Sequence, residues 1–154
     1  LREPPRVEWS LQWRKTTARW LWELIHRYSP PRWPVEQPRA ALGDRELMVL
    51  NPRRDEWDGS WRQSIDEPKF REQVEWELDG LDRADVIAMW FAGGTKSPIT
   101  LLELGLHARG GKLIIGCPPE FWRRGNIEVV AARCGIQLHA TWDAFKHAVL
   151  TACA

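Results

Sequence analysis

Apolar positions from residue 47 onward follow two alternating patterns. Continuous apolar runs of strand length are followed by longer segments in which apolar residues recur at helical spacing. Continuous runs are typical of strands buried on both faces, as in parallel sheets, and the helical spacing predicts amphipathic helices. The predicted strands are 47–50, 86–91, 113–116 and 136–138, and the predicted helices are 68–83, 98–109, 126–133 and 142–150.

Capping residues support these boundaries. Pro68 and Pro98 suit the first turn of a helix, Ser97 and Thr141 are good N-caps, and Gly135 ends a helix. The regular order of strand and helix predicts a three-layer α/β sandwich around a parallel sheet of four to five strands. Ligands of such folds bind beyond the carboxyl ends of the strands, where polar and aromatic loops begin here.

The first forty residues have a less regular pattern. Residues 7–11 can form a short strand, and apolar residues near helical spacing predict a helix over 13–28, ended by Ser29-Pro30-Pro31. Five tryptophans lie in the first 33 residues, where they can pack in an interface or stack on flat bases. We interpret residues 1–40 as an atypical beginning of one domain that spans 1–154.

Composition excludes several classes of function. With 154 residues, 44% of them hydrophobic and 28% charged, the chain has the profile of one soluble globular domain. A net charge of +1 gives no reason to expect nucleic acid or an anionic membrane as the main partner. No apolar run has membrane-spanning length and no signal peptide is recognisable, so a cytoplasmic location is expected. The three cysteines and four histidines lack metal-ligand spacing, so we predict buried thiols, no metal and no cofactor.

Glu103 is the first candidate for chemistry. Its predicted helix is apolar nearly all round, which indicates a largely buried helix, and a carboxylate there is costly unless it has partners. A buried glutamate beside a crevice is a candidate nucleophile or base. The alternative is a side chain that reaches solvent or pairs with His107 one turn later.

Two further acids lie on the preceding helix. Glu75 and Glu77 are two positions apart, so they cannot share a face of the helix. At most one of them therefore points at a site, and the other is solvated.

Two loops carry the remaining candidates. The loop that follows the predicted strand 47–50 can clamp an anion through its adjacent arginines and stack a base on a tryptophan. Alternatively, it is an ordinary solvated loop. An anion can also bind near Ser97, at the start of a helix. The candidate substrate-binding residues of the first loop are Asn51, Arg53, Arg54 and Trp57.

Five stretches resemble, in consistent order, the nucleoside 2-deoxyribosyltransferase-like family. They are NPRRDEWDGSW (51–61), FREQVEWEL (70–78), ADVIAMWF (84–91), SPITLLELGLHA (97–108) and FWRRGN (121–126). The resemblance covers about residues 47–138 and implies a flavodoxin-like fold. It also implies transfer of 2-deoxyribose between bases through a covalent glycosyl-enzyme, and related members hydrolyse nucleosides or nucleotides instead.

The resemblance implies roles for individual residues. The ELG sequence places the family's nucleophilic glutamate on Glu103, and Glu77 matches a carboxylate that contacts the base. Asn126 looks like an asparagine that reaches the sugar hydroxyls across a subunit interface, which implies a homo-oligomer. The NPRR loop is implied to line the same pocket.

Three functions remain open at this point. The chain can be a transferase, a hydrolase that captures the same intermediate with water, or a non-catalytic protein that kept the fold to bind nucleotides. The third suits two departures from well-studied members, which carry an aspartate near Ser97 and a tyrosine after their first strand, whereas the single tyrosine here is Tyr28. In each case the partner is a small-molecule nucleoside or nucleotide.

Overall fold

The structure, a computed structural model, describes residues 19–25, 47–50 and 60–153. This part of the chain contains five strands and four helices. The strands are β1 (Arg19–Ile25), β2 (Leu47–Leu50), β3 (Val86–Trp90), β4 (Leu113–Gly116) and β5 (Leu138–His139). The helices are α1 (Pro68–Arg83), α2 (Pro98–His107), α3 (Arg124–Cys134) and α4 (Trp142–Cys153).

All five strands pair in parallel, in the order β2-β1-β3-β4-β5. This arrangement confirms the α/β prediction and is consistent with a flavodoxin-like fold, whose doubly wound sheet has the same order. The direction of winding changes between β1 and β3. The crevice expected to bind a ligand therefore lies at the carboxyl ends of these two strands, beside the loop that joins β3 to α2.

One predicted element is wrong. Residues 19–25, inside the helix predicted over 13–28, form β1, the strand that pairs with both β2 and β3. The sequence RWLWELI is a strand-length run rich in aromatic and aliphatic residues, which periodicity alone does not separate from a helix segment. Pairing on both sides favours the strand. The strand predicted over 7–11 lies outside the described residues.

The other predicted elements are confirmed with small shifts of their ends. Strands β2 and β4 and helix α1 have the predicted bounds, whereas α3 begins two residues earlier and β5 is a two-residue strand. Gly135 ends α3 in the left-handed region at φ 69°, where glycine carries no steric penalty. The Thr141 hydroxyl accepts a hydrogen bond from the Ala144 N–H at 3.3 Å, as an N-cap does.

Helices cover both faces of the sheet. The first face, which we call the α1–α3 face, holds the larger apolar cluster, with Leu81 from α1, Leu104 from α2 and Ile127 from α3. The second, the α4 face, holds a smaller cluster that includes Phe145 and Val149. The described residues include no helix long and apolar enough to cross a lipid bilayer.

Candidate active site

The loop from β3 to α2 is held by hydroxyl groups. Thr95 Oγ1 donates to the carbonyl oxygen of Ala92 at 2.9 Å and lies 2.8 Å from Ser97 Oγ. Because the single hydroxyl hydrogen of Thr95 is used on Ala92, the Ser97 hydroxyl donates to Thr95. This chain of hydrogen bonds fixes the loop where it meets the helix that carries Glu103.

Ser97 occupies the N-cap position of α2, but its side chain does not cap the helix. The prediction of a side-chain cap is therefore wrong, because the hydroxyl bonds to Thr95 instead. Ser97 is 2% exposed and has φ 44° and ψ 50°, a left-handed conformation that is uncommon for a residue with a Cβ. Such backbone strain persists only where surrounding structure enforces it, and it is concentrated at functional sites.

Glu103 is a buried residue of α2, with 4% of its surface exposed. This burial excludes the alternative in which the carboxylate reaches solvent, and the ion pairs among residues 60–153 do not include one with His107. Its Oε2 atom has no hydrogen-bond partner among the described residues. A buried polar atom in this state is costly and is a recognised mark of a functional site.

Burial raises the pKa of Glu103 to about 7, and the negative charge of Glu77 adds to the rise. Both causes act in the same direction, since an apolar environment and a like charge each disfavour the ionised carboxylate. The side chain therefore changes charge near neutral pH, in the range where a carboxyl group can serve as an acid, a base or a nucleophile.

The neighbouring helix α1 separates its two candidate acids as predicted. Glu75 is exposed and forms an ion pair with Arg71, with 3.4 Å between Oε1 and Nε. Glu77 is half-buried and accepts a 2.6 Å hydrogen bond from Nε2 of Gln73. Of the two acids, Glu77 is the one whose negative charge contributes to the raised pKa of Glu103.

Gln73, which donates to Glu77, is a buried polar residue that was not among the candidates predicted from the sequence. It is 3% exposed and one turn before Glu77. A signal was available, because residues 70, 73, 77 and 81 have the spacing of one helix face, and that face carries a glutamine and a glutamate between apolar residues. By the same reasoning that singled out Glu103, a polar residue on an apolar helix face is a candidate functional residue.

The loop after β4 closes the same edge of the sheet. Trp122 donates its indole N–H to the carbonyl oxygen of Lys96 at 3.1 Å, which ties this loop to the one before α2. The Arg123 guanidinium lies 4.4 Å from the centre of the Trp122 ring, at cation–π distance. Arg124 donates to the carbonyl oxygen of Cys117 and to Glu128, so its charge holds the loop together.

The remaining predicted binding residues are not brought together with Glu103 by any described contact. Asn126 is exposed on the first turn of α3, and its backbone N–H donates to the Arg123 carbonyl oxygen at 3.0 Å. The binding residues predicted in the loop after β2 lie outside the described residues: Asn51, Arg53, Arg54 and Trp57.

The three cysteines are free thiols, of which Cys117 and Cys153 are buried as predicted, whereas Cys134 is only partly buried. Burial raises the pKa of the Cys117 thiol to about 11, against a smaller opposing effect of the nearby Arg124 charge. This thiol is therefore protonated at neutral pH and is a poor nucleophile. Within the described residues no group of three or more histidine, cysteine and acidic side chains is arranged to hold a metal ion.

A protein-family model described as nucleoside 2-deoxyribosyltransferase like matches residues 6–121, about three quarters of the chain. The chain belongs to this nucleoside 2-deoxyribosyltransferase-like family. The match contains Glu77, Ser97 and Glu103, and it begins well before the motifs at 51–126, so it also includes most of the N-terminal segment. It ends before Asn126. A comparison with curated proteins finds no match.

Proposed function

We propose that this member of the nucleoside 2-deoxyribosyltransferase-like family breaks the N-glycosidic bond of deoxynucleosides or deoxynucleotides, with Glu103 as nucleophile. The observation that carries the proposal is the buried Glu103 carboxyl group, whose Oε2 lacks a partner among the described residues and whose pKa is raised to about 7. A group that only stabilised the fold would be expected to have its hydrogen bonds satisfied.

In the proposed reaction the ionised Glu103 carboxylate attacks the anomeric carbon of the sugar. The carbon–nitrogen bond breaks, its electron pair passes to the base, and an acid protonates the departing base. Glu77 or an acid of the 51–59 loop is the proposed source of that proton, a contribution of roughly 10²–10⁴-fold when well placed. The Glu103 charge stabilises the oxocarbenium-like transition state before the covalent bond forms.

The glycosyl-enzyme then has two possible acceptors. Attack by a nitrogen of a second base completes a transfer and releases the Glu103 carboxylate, whereas attack by water releases free sugar. We place transfer first because the matched family model is described as nucleoside 2-deoxyribosyltransferase like. Asn126 and the residues of the NPRR loop, Asn51, Arg53, Arg54 and Trp57, are proposed to hold sugar and base.

The decisive experiment follows products by chromatography from a panel of deoxynucleosides and deoxynucleotides, with and without a second free base. Glu103→Gln is expected to lower kcat/KM by at least roughly 10³-fold, since it removes the nucleophile but keeps the shape of the side chain. Glu72→Gln, an exposed position on α1, is the matched control and should keep full activity. Turnover at the wild-type rate by Glu103→Gln would refute the mechanism.

The same assay separates the alternatives. Exchanged nucleoside that depends on the second base indicates a transferase, and free sugar without it indicates a hydrolase. Binding without turnover of any substrate would favour the non-catalytic role. Because the attacking carboxylate must be ionised, kcat/KM is also expected to rise with pH through about 7, the pKa of Glu103.

We also propose that the chain self-associates through the outer face of α2. The sequence predicts this helix to be largely buried, but the structure leaves Ile99, Leu102 and Leu106 each 60% exposed. The exposed positions of α2 also include Pro98 and Gly105, so its outer face carries no charge. A second copy related by a twofold axis would meet this face with its own and bring no unpaired charge into the contact.

The oligomeric state tests this interface. Sedimentation of the wild type is expected to give an oligomer, and Leu102→Glu should dissociate it by placing a charge at the centre of the contact. Ile65→Glu, which adds the same charge at an exposed apolar residue outside α2, should leave assembly unchanged. A monomeric wild type would contradict the proposal.

A further inference from the structure

Trp122 combines a fixed ring edge with a large exposed surface. Its indole N–H donates to the Lys96 carbonyl oxygen at 3.1 Å, yet 54% of the residue is exposed. The preceding residue, Phe121, is buried, and its ring centre lies 5.1 Å from that of Phe91 in the core. Of two consecutive aromatic residues, one therefore completes the core, whereas the other presents to solvent a ring that is held in one orientation.

The loop that carries Trp122 is bound closely to the loop between β3 and α2. Besides the hydrogen bond from Trp122 to Lys96, the two backbones approach each other at Gly93, where an added Cβ atom would lie 3.3 Å from Cβ of Glu120. These loops leave the carboxyl ends of the adjacent strands β3 and β4. Because the ligand crevice of such a fold lies at the carboxyl ends of β1 and β3, Trp122 is at the same edge, beside the loop that borders the crevice.

The surroundings of the indole ring suit a planar heterocycle as ligand. The Arg123 guanidinium lies over the ring, 4.4 Å from its centre, and so occupies one of its two faces. The exposed surface of the ring is available to a second planar group. Bases stack on aromatic side chains through their π-faces, and a purine, with two fused rings, overlaps an indole more fully than a pyrimidine does.

We propose that Trp122 is a specificity-determining residue of the candidate active site, whose exposed ring stacks on the base of the deoxynucleoside and favours purines over pyrimidines. This inference rests on the proposed function for the identity of the ligand. The contacts with Lys96 and Arg123 hold the ring before a ligand arrives, so little side-chain freedom is lost on binding. Stacking acts equally on the bound substrate and on the transition state, so it should change KM more than kcat.

The test is calorimetry of deoxyadenosine and thymidine binding to the Glu103→Gln protein, in which the nucleoside should stay intact. Trp122→Leu in this background should weaken the binding of deoxyadenosine about tenfold and that of thymidine about threefold. Trp122→Phe keeps an aromatic ring but lacks the N–H donor, and should stay within about threefold of the parent for both ligands. Val129→Ala, at an exposed apolar residue of α3, is the control and should leave both affinities unchanged.

The two Trp122 variants separate stacking from the hydrogen bond to Lys96. If that hydrogen bond were the whole contribution of Trp122, Trp122→Phe would lose as much affinity as Trp122→Leu, and the proposal would be wrong. Unchanged binding by Trp122→Leu would also overturn it. Because Lys96 is close to the start of α2, sedimentation of the same variants is a further check. Dissociation of an oligomer by Trp122→Leu would assign the ring to a subunit contact instead of the base.

The outcome is distinguishable from failure of the proposed function. If the protein turns over no nucleoside, binding still tests Trp122, and a wild type that binds neither ligand would overturn the proposal. The indole N–H resonance of Trp122, identified by its loss in Trp122→Phe, should shift when deoxyadenosine is added to the wild type. If the protein is active, Trp122→Leu should raise KM for deoxyadenosine about tenfold and leave kcat within about twofold. A lower kcat with an unchanged KM would contradict stacking.

Discussion

The buried side chains on the two faces of the sheet differ in polarity. On the α4 face the buried residues are Val86, Ala88, Phe145, Val149 and Cys153, and none of them carries an ionisable oxygen or nitrogen. The α1–α3 face has a larger apolar cluster, and the helices that cover it also contain the buried Gln73 and Glu103. One face thus stabilises the fold by apolar packing alone, whereas the other accepts polar groups that cost stability.

This difference indicates where the molecule can tolerate a costly group. A buried, partly ionised carboxyl group destabilises the fold, and the net stability of a domain is only about 5–15 kcal/mol. Apolar packing elsewhere must therefore offset this cost. Substitutions on the two faces should therefore change the free energy of unfolding in opposite directions, and only those that remove the buried carboxyl group should do so in a pH-dependent way.

The largest effect is expected from Phe145→Ala on the α4 face. The Phe145 ring is fully buried and its centre lies 5.4 Å from that of Trp90 and 5.6 Å from that of Trp142. Its removal should lower the free energy of unfolding by about 3–5 kcal/mol through lost transfer energy and a cavity. Urea unfolding should give the same loss at pH 5 and pH 8. A loss that varied with pH would show that the two faces are coupled.

The next effect is a gain in stability from Glu103→Gln that depends on pH. Folding raises the pKa of Glu103 from 4.5 to about 7, so the folded state binds the proton more tightly than the unfolded state. The destabilisation by this carboxyl group is therefore absent below about pH 4.5, grows as pH rises, and is complete above about pH 7. The stability of the variant relative to the wild type should rise by roughly 3 kcal/mol across this window.

Urea unfolding at intervals from pH 4.5 to 8 measures this change. Glu72→Gln, at an exposed position of α1, serves as control and should show no such trend. A constant difference between Glu103→Gln and wild type at all pH values would mean that burial does not perturb this carboxyl group.

The smallest effect concerns the tight contact at the end of β4. A Cβ atom added to Gly116 would lie 2.1 Å from Cε3 of Trp90 and 2.9 Å from Cδ2 of Phe145. Gly116→Ala should therefore lower the free energy of unfolding by about 1–3 kcal/mol, because aromatic rings of the α4 face would have to shift. Gly125→Ala meets no atom within 4 Å and should be neutral or stabilising, by up to about 1 kcal/mol.

The sequence was sufficient for most of the fold. Continuous apolar runs and helical spacing predicted β2, β3, β4 and all four helices, because burial on both faces of a parallel sheet leaves a clear record in hydrophobicity. It was insufficient for residues 19–25, where a run of seven residues is short enough to satisfy both periods. The pairing partners that make this segment a strand lie far away in the sequence.

The candidate site was predictable in part. Glu103 stood out because a charge in an apolar helix is costly, and the structure does bury it. The exposed side of α2 was not predictable, because the apolar pattern of a helix is the same whether a face is buried in the core or left exposed. Neither was the left-handed Ser97, because a residue with a Cβ enters that region only under tertiary constraint. The burial of Gln73 was not predictable either, because it depends on the tertiary packing of α1.

The central position of β1 has a consequence for how the protein reaches its native state. Leu21 pairs with Val86, about 65 residues later in the chain, so the middle of the sheet closes only after α1 and β3 have been synthesised. Until then the apolar edge of β1 has no partner on that side. Closing so long a loop by parallel pairing is slow compared with local helix formation. Folding should therefore be limited by insertion of β3 beside β1, and aggregation during synthesis should compete with this step.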